Sequence, residues 1–277
     1  LTIISIGDQD EEIDWYNKFI DYNIPYVIVN QLTKEPSVWP VNHKNTPALT
    51  RGYQNARNVF FTGQNNHDVM ERRLCIKIPN YSIFYNPTDV PRDISMGFPS
   101  MIHGMNIAMV GNLLSIHKGN NIAIEVFNME KWINRNVHLN IFGKGKDEKV
   151  LKEMTKNPKV VFHGHTYNIQ EVWEDNHAIL MPSHMEGLPL ALVGAMLSAR
   201  VPIVSNVGAH QEVIDDNITG FIAQNSTVAE IDEALERAWQ SFNKLEEIGM
   251  RASNQILDYL PDDPVNHFIN QIEVFKI

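Results

Sequence analysis

The sequence predicts an α/β protein built from two Rossmann-like domains on parallel sheets. Three observations carry this expectation. Short β-branched runs alternate with helical patterns along the chain, the signature of βα units. From Met105 onward six such strands follow one another, most leading through a glycine-bearing loop into a helix. Between the two halves lies a stretch that neither pattern fits, Asn86-Pro87-Thr88-Asp89-Val90-Pro91-Arg92-Asp93, extended by Met96-Gly97-Phe98-Pro99. Pro87 and Pro91 deny helix there, which places a linker at roughly 87–104.

The elements follow in order. In the first part, strands are expected at Thr2–Ile6, Tyr26–Asn30, Val59–Thr62 and Ser82–Tyr85. Glu12–Tyr22 has helical spacing, with Ile13, Tyr16, Phe19 and Ile20 on one face. Four strands with few helices are too little for a complete doubly wound domain, so this domain, 1–95, is expected to be incomplete. The chain starts with Leu1 inside a strand, which suggests a fragment. In the second part, 104–260, strand Asn106–Val110 leads through Gly111 to a helix at Asn120–Trp132. His138–Phe142 leads through Gly143-Lys144-Gly145 to Asp147–Thr155, and Val160–Phe162 through Gly164-His165 to Ile169–Asp175. Ala178–Met181 leads through Glu186-Gly187 to Pro189–Ser198, and Val201–Ser205 through Gly208 to Gln211–Asp215. Gly220–Ala223 precedes a helix whose start reads as a capping box of Thr227 and Glu230. A final helix, Val265–Phe275, closes the chain. In open sheets of this kind the ligand lies beyond the carboxyl ends of the strands, where these loops are.

Composition narrows the partners. Net charge is -10, and no basic cluster exceeds Arg72-Arg73, which argues against nucleic acid. The longest uncharged apolar run, Gly187–Met196, is far short of a membrane span. The single Cys75 rules out an internal disulfide and fits a reducing cytosol. The acidic segment Asp8-Gln9-Asp10-Glu11-Glu12 after the first strand is no signal peptide. A cytoplasmic location is expected. A peripheral place at the inner face of a membrane is compatible, although no basic amphipathic helix supports it.

Three strand-to-helix turns could carry chemistry. The richest is Pro182-Ser183-His184-Met185-Glu186-Gly187-Leu188-Pro189-Leu190-Ala191-Leu192. A helix start offers unpaired N–H groups and a positive dipole end, which suit a diphosphate. Pro189 has no N–H, so Leu188, Leu190 and Ala191 would donate. Glu186 could take sugar hydroxyls, or could serve only to cap the helix; the local sequence leaves both open. The second turn is Gly111-Asn112-Leu113-Leu114-Ser115-Ile116-His117-Lys118-Gly119. There Lys118 is a flexible cation for phosphates or an ordinary solvated lysine, and Gly119 allows close backbone approach. The third is Gly208-Ala209-His210-Gln211-Glu212, where Glu212 either orients loops or complements a helix dipole. Gly143-Lys144-Gly145 lacks the third glycine of a dinucleotide fingerprint. His163-Gly164-His165 could offer two metal ligands, but no third stands near in sequence.

Taken as a series, these loops resemble the carboxyl-terminal domain of the retaining glycosyltransferases called group 1 or family 4, which have the GT-B fold. The series is Gly111…Lys118-Gly119, Phe142-Gly143-Lys144-Gly145, Phe162-His163-Gly164, Pro182-Ser183…Glu186-Gly187-Leu188-Pro189-Leu190, Val207-Gly208…Glu212 and Gly220-Phe221-Ile222. The resemblance spans about 105–260. Asn58–Thr62, Ile76–Asp89 and Val29-Asn30-Gln31…Glu35…Trp39-Pro40 resemble parts of the family's first domain. The last helix, within 261–277, resembles one that crosses back to that domain.

The resemblance implies sugar transfer from a nucleotide-sugar donor to an acceptor (a glycan, a lipid-linked or a small molecule) with retained configuration. It implies that no metal or other cofactor is needed. Lys118 would bind the donor diphosphate, with Gly111, Asn112 and Gly119 around it. Glu186 would contact the transferred sugar as the catalytic residue. The N–H groups after Gly187, at Leu188, Leu190 and Ala191, would hold phosphate and sugar, and Gly164-His165-Thr166 would edge the base. Some positions depart from the pattern. Where the family has a second Glu for the ribose, this chain has Gly194, a loss worth roughly 1.5–3 kcal/mol. A mid-helix Gly has no evident stability motive. Asn112 stands in place of an Arg, and Asn30 near a frequent His. These departures keep an alternative in view, a degenerate or truncated member that binds nucleotide or a partner without turnover.

Overall fold

The computed structural model describes residues 1–7, 13–34, 45–94 and 96–275. The segment resembling the family at Glu35 and Trp39-Pro40 lies outside them, as does the acidic run from Asp8. The described chain forms two units. One gathers Leu1–Pro87, Met185–Leu188 and Pro261–Ile277, the other Thr88–His184 and Pro189–Leu260.

The first unit runs β1 (Thr2–Ile6), α1 (Ile13–Asp21), β2 (Tyr26–Asn30), α2 (Thr46–Asn55), β3 (Val59–Phe61), α3 (Gln64–Leu74) and β4 (Tyr81–Ile83). All pairings are parallel, in the order β1-β2-β3-β4, with Ile28 opposite Ile4 and Val59. Successive strand side chains face opposite ways. Ile4, Ile6, Tyr26, Ile28, Val59 and Phe61 therefore share one face, packed with Tyr16, Leu49, Tyr53, Met70 and Leu74 from the helices. Val27, Val29 and Phe60 point to the other. A strand buried on both sides reads as a continuous apolar run, as Tyr26-Val27-Ile28-Val29 does. Helix α3 ends at Cys75, whose left-handed φ of 53° lets the next N–H, that of Ile76, reach the Glu71 carbonyl as well, at 3.2 Å.

The second unit begins with β5 (Met105–Val110), α4 (Ser115–Lys118), α5 (Asn120–Phe127), α6 (Glu130–Asn134) and β6 (Val137–Phe142). It continues with α7 (Glu148–Met154), β7 (Val160–Gly164), α8 (Ile169–Asp175), β8 (Ala178–Met181) and α9 (Leu190–Leu197). It ends with β9 (Val201–Ser205), α10 (His210–Val213), β10 (Phe221–Ala223), α11 (Val228–Gln240) and α12 (Leu245–Tyr259). The parallel sheet has the order β10-β9-β8-β5-β6-β7. The chain starts at β5, builds outward to β7, then returns to β8 on β5's other side. That reversal makes a topological switch point between β5 and β8. Met105, Ile107, Leu139, Ile141, Leu180 and Ile203 fill the core together with Phe127, Trp132 and Leu235. After Pro261 comes α13 (Pro264–Glu273), started by Asp263 accepting from the Asn266 N–H at 2.9 Å. Its Ile272 and Phe268 cover Val27, Val29 and Phe60 of the first unit's sheet.

Several local expectations are corrected. The helix expected at 120–132 is two helices. Asn128 ends the first because its side chain is taken up elsewhere: Nδ2 donates to the Met154 carbonyl at 2.9 Å, and Oδ1 accepts from Lys156 N–H at 2.8 Å. The capping box at α11 is half formed. Thr227 Oγ1 accepts from Glu230 N–H at 3.3 Å, while the Glu230 carboxylate accepts from the Asn225 backbone and side chain instead. The stretch read as a linker, beyond Pro87, is packed onto the second unit. Val90 is 2% exposed, and Arg92 donates to the carbonyls of Leu260 and Leu257 at 3.1 and 3.0 Å, capping the end of α12. Buried Arg200 donates to the Gly97 carbonyl at 2.8 Å and the Trp173 carbonyl at 2.6 Å. Burial pushes its guanidinium down to about 10.

Candidate functional site

Two of the three loops singled out by sequence leave the carboxyl ends of β5 and β8, the neighbouring strands at the switch point. After β5 the chain turns at Gly111 and forms the single turn α4. The Asp147 carboxylate accepts from the Ser115 N–H at 2.7 Å and so starts that turn. Asp147 stands just after the Gly143-Lys144-Gly145 turn, which is how the discounted motif takes part. Lys118 ends α4, and its Cε lies 3.7 Å from where a Gly111 Cβ would be, so the side chain runs along the glycine. Gly119 follows with φ of 62°. A Cβ there would collide with the Pro182 carbonyl oxygen. That contact, with His184 N–H donating to the His117 carbonyl at 2.8 Å, locks the β5 loop to the β8 loop. A crevice at this seam brings Gly111, Lys118, Asn120 and Ser183 together. Burial holds the His184 imidazole below its ordinary pKa, which favours the neutral ring.

Beside β5 on the other flank is a cavity of about 460 Å³. Val110, Gly111 and Asn112 line it from the β5 loop, Phe142, Gly143 and Lys144 from the β6 loop, and His165, Thr166 and Ile169 from the β7 loop. Among the described residues no carboxylate lines this cavity, and Lys144 adds a cation. Gly164, with φ of 75°, closes the β7 strand by accepting from Gly143 N–H at 2.7 Å. The two histidines flanking Gly164 diverge. His163 stacks on Phe142 with ring centroids 4.5 Å apart and meets Asn140 Oδ1 at 2.9 Å, whereas His165 packs edge-on against Tyr167. Among the described residues no group of three or more His, Cys, Asp or Glu is placed to hold a metal.

Pro189 precedes α9 as its N-cap and makes no side-chain capping bond. Leu190 and Ala191 are the first two helical residues, whose N–H groups lie before the first bond of the helix ladder, Val193 N–H to the Pro189 carbonyl. Leu188 stands outside the helix and, with Met185, Glu186 and Gly187, groups with the first unit. There Asn66 Nδ2 donates to the Glu186 carbonyl at 3.0 Å, and Thr62 Oγ1 meets Asn66 Oδ1 at 3.3 Å. Nothing in the sequence pattern marks Thr62 or Asn66 beyond their place after a strand. Asn30 is fully buried and donates to Thr33 Oγ1 at 2.8 Å. Glu212 accepts from the Tyr259 hydroxyl at 3.1 Å, which ties α10 to α12.

Gly194 lies in the buried middle of α9. A Cβ there would be 3.0 Å from Val90 Cγ2 and 3.4 Å from Trp173 Nε1. The glycine, for which the sequence offers no evident stability motive, thus stands where a Cβ would press on Val90, in the folded-down stretch after Pro87.

The comparisons with known proteins bear on this arrangement. A family model described as glycosyl transferases group 1 matches residues 104–241. Those residues thus resemble a group 1 glycosyltransferase domain. Glycogen synthase of Pseudomonas syringae pv. syringae (strain B728a) is 29% identical to the chain over 145 residues, 50% of this chain and 29% of that protein. An uncharacterized glycosyltransferase of Haemophilus influenzae (strain ATCC 51907 / DSM 11121 / KW20 / Rd) is 27% identical over 142 residues, 49% of this chain and 39% of that protein. The chain thus spans less than half the length of either relative. Among solved structures, HepE from Anabaena in complex with UDP matches with a TM-score of 0.78 at 14% identity, over 99% of this chain and 78% of that one. Sucrose-phosphate synthase from Thermosynechococcus elongatus matches with a TM-score of 0.74 at 14% identity, over 94% of this chain and 70% of that one. The fold is accordingly GT-B, with Rossmann-like units on parallel sheets. The stretch that the family model matches holds both the switch-point loops and the cavity beside them. Among the described residues no helix is long and apolar enough to cross a membrane.

Proposed function

We propose that this protein transfers a sugar from a nucleotide-sugar donor to an acceptor with retention of configuration and without a metal. The observation that carries this reading is the switch-point geometry of the stretch that the family model matches, where Gly119 closes on Pro182 and Lys118 runs along Gly111. Lys118 and the first N–H groups of α9 neutralise the leaving diphosphate. A fixed cation and fixed N–H dipoles stabilise developing charge without reorganising, which is the largest contribution available when no metal is used. The cavity lined by Asn112, Lys144 and His165 takes the base. Glu186 contacts the transferred sugar beside the reacting carbon. HepE is described in complex with UDP and with UDP-glucose, which supports a uridine diphosphate sugar as the first donor to try.

Calorimetry with UDP, GDP, ADP and their hexose conjugates tests the reading. Binding of one nucleotide series, weakened at least ten-fold in Lys118→Ala, is the expected result. Absence of binding to every nucleotide would overturn it. Binding without release of nucleoside diphosphate to any acceptor or to water would favour a non-catalytic member.

A further inference from the structure

Glu186 is held by its backbone, and the residues that hold it belong to a strand end and a helix start of the first unit's sheet. Thr62 directly follows β3, and Asn66 lies in the first turn of α3. Thr62 and Asn66 are each 1% exposed, and Glu186 is 5% exposed. The Glu186 carbonyl can only accept, so it fixes which way the Asn66 amide faces and leaves Oδ1 to accept from the Thr62 hydroxyl at 3.3 Å. The amide nitrogen donates to that carbonyl, 3.0 Å away. The next residue is gripped as well. A Cβ on Gly187 would lie 2.6 Å from Thr62 Oγ1 and would collide with the Gln31 carbonyl oxygen. One hydroxyl therefore both tethers the amide that binds residue 186 and packs against residue 187.

We propose that Thr62 and Asn66 are positioning residues for Glu186, setting the backbone from which its carboxylate reaches the donor sugar. This rests on the reading above that Glu186 contacts that sugar. Buried polar side chains that are fully engaged over-determine local backbone, and a site displaced by about 1 Å loses on the order of 10²-fold in rate. Neither residue needs to touch donor, so their effect falls on turnover and not on nucleotide affinity. A purely structural role would lower stability, or affinity and turnover together.

The test uses the whole chain with a panel of UDP-, GDP- and ADP-hexoses, following nucleoside diphosphate release and, separately, nucleoside diphosphate binding. Asn66→Asp keeps the shape and the acceptor for Thr62 but, ionised, cannot donate to the Glu186 carbonyl. It is expected to lower kcat at least ten-fold, with nucleotide Kd within two-fold of wild type and an unchanged circular dichroism spectrum. Thr62→Val is expected to do the same, and Thr62→Ser, which keeps the hydroxyl, to recover most of the loss. Wild-type turnover in Asn66→Asp, or equal losses in Thr62→Val and Thr62→Ser, would overturn the proposal while leaving sugar transfer intact. If wild type itself neither binds nor cleaves any of the panel, the underlying reading fails, and this proposal with it.

Discussion

Val90 occupies the space above Gly194: its Cγ2 lies 3.0 Å from the point where a Cβ on residue 194 would stand. This relationship explains a glycine that helix propensity disfavours by about 1 kcal/mol relative to Ala. The segment after Pro87 crosses the buried side of α9, and a side chain on residue 194 would press on Val90 there. The cost in the helix is offset by burying Val90, together with the Arg92 bonds to the end of α12.

Restoring a glutamate at this position is therefore expected to harm the fold before it helps a ligand. Gly194→Glu must displace Val90 and press against Trp173 Nε1, and overpacking of this sort costs about 2–3 kcal/mol. Urea denaturation should show that loss. Adding Val90→Ala should recover part of it, because the two residues touch and their effects are coupled. Any gain in nucleotide affinity should appear only in the double variant. A single Gly194→Glu variant as stable as wild type would refute the packing account.

Acid should reveal a second fixed point, the charge cluster that joins α6 to α11. Arg135 grips the Glu236 carboxylate with two nitrogens at 2.6 and 3.0 Å, and Lys131 adds a third contact at 3.1 Å. These partners, Arg135 first, hold the Glu236 carboxyl down to about 2. An unfolded glutamate titrates at about 4.3. The stabilisation is therefore complete above that value and is lost as pH falls through about 2. Glu236 is 24% exposed, so solvent trims the pair to roughly 1–2 kcal/mol. Glu236→Gln should cost that much at pH 7, and the gap from wild type should close between pH 4.3 and 2. A gap that stays constant over that range in chemical denaturation would show that the charge is not what stabilises.

Much of this architecture is legible in the sequence because it depends on local periodicity. The six strands of the second sheet and the loops at Gly111–Gly119 and Pro182–Pro189 lie where the pattern places them. What the sequence conceals is tertiary. Asn128 looks like any mid-helix asparagine until Met154 and Lys156 bring their backbone groups to it. Glu230 sits at the right spacing for a capping box, yet the Asn225 N–H competes for it and wins. The segment after Pro87 reads as a linker because proline excludes helix, a rule that says nothing about whether extended chain can pack. Lys144 looks dispensable as part of a weak motif. Its place in the cavity wall follows from β6 and β7 lying side by side with Gly143 bonded to Gly164. Thr62 and Asn66 carry no periodic signal, since their partner at Glu186 is 120 residues away from Asn66 in sequence.

Gly119 offers the sharpest separation of loop geometry from general stability. Its φ of 62° is left-handed, which costs an alanine about 1–2 kcal/mol. The Pro182 carbonyl oxygen stands where the methyl group would go. That same carbonyl accepts from the Ser226 hydroxyl, so it is not free to turn away without breaking a second contact. Gly119→Ala should therefore destabilise the domain by roughly 2–4 kcal/mol, combining the backbone and steric terms. It should also push Lys118 off Gly111 and weaken nucleotide binding at least ten-fold under conditions where the variant is still folded. Gly97→Ala is the matched control, because nothing lies within 4 Å of a Cβ there. It should change both readouts little. If Gly119→Ala lowered stability yet bound nucleotide as well as wild type, the seam between the β5 and β8 loops would be a packing feature only.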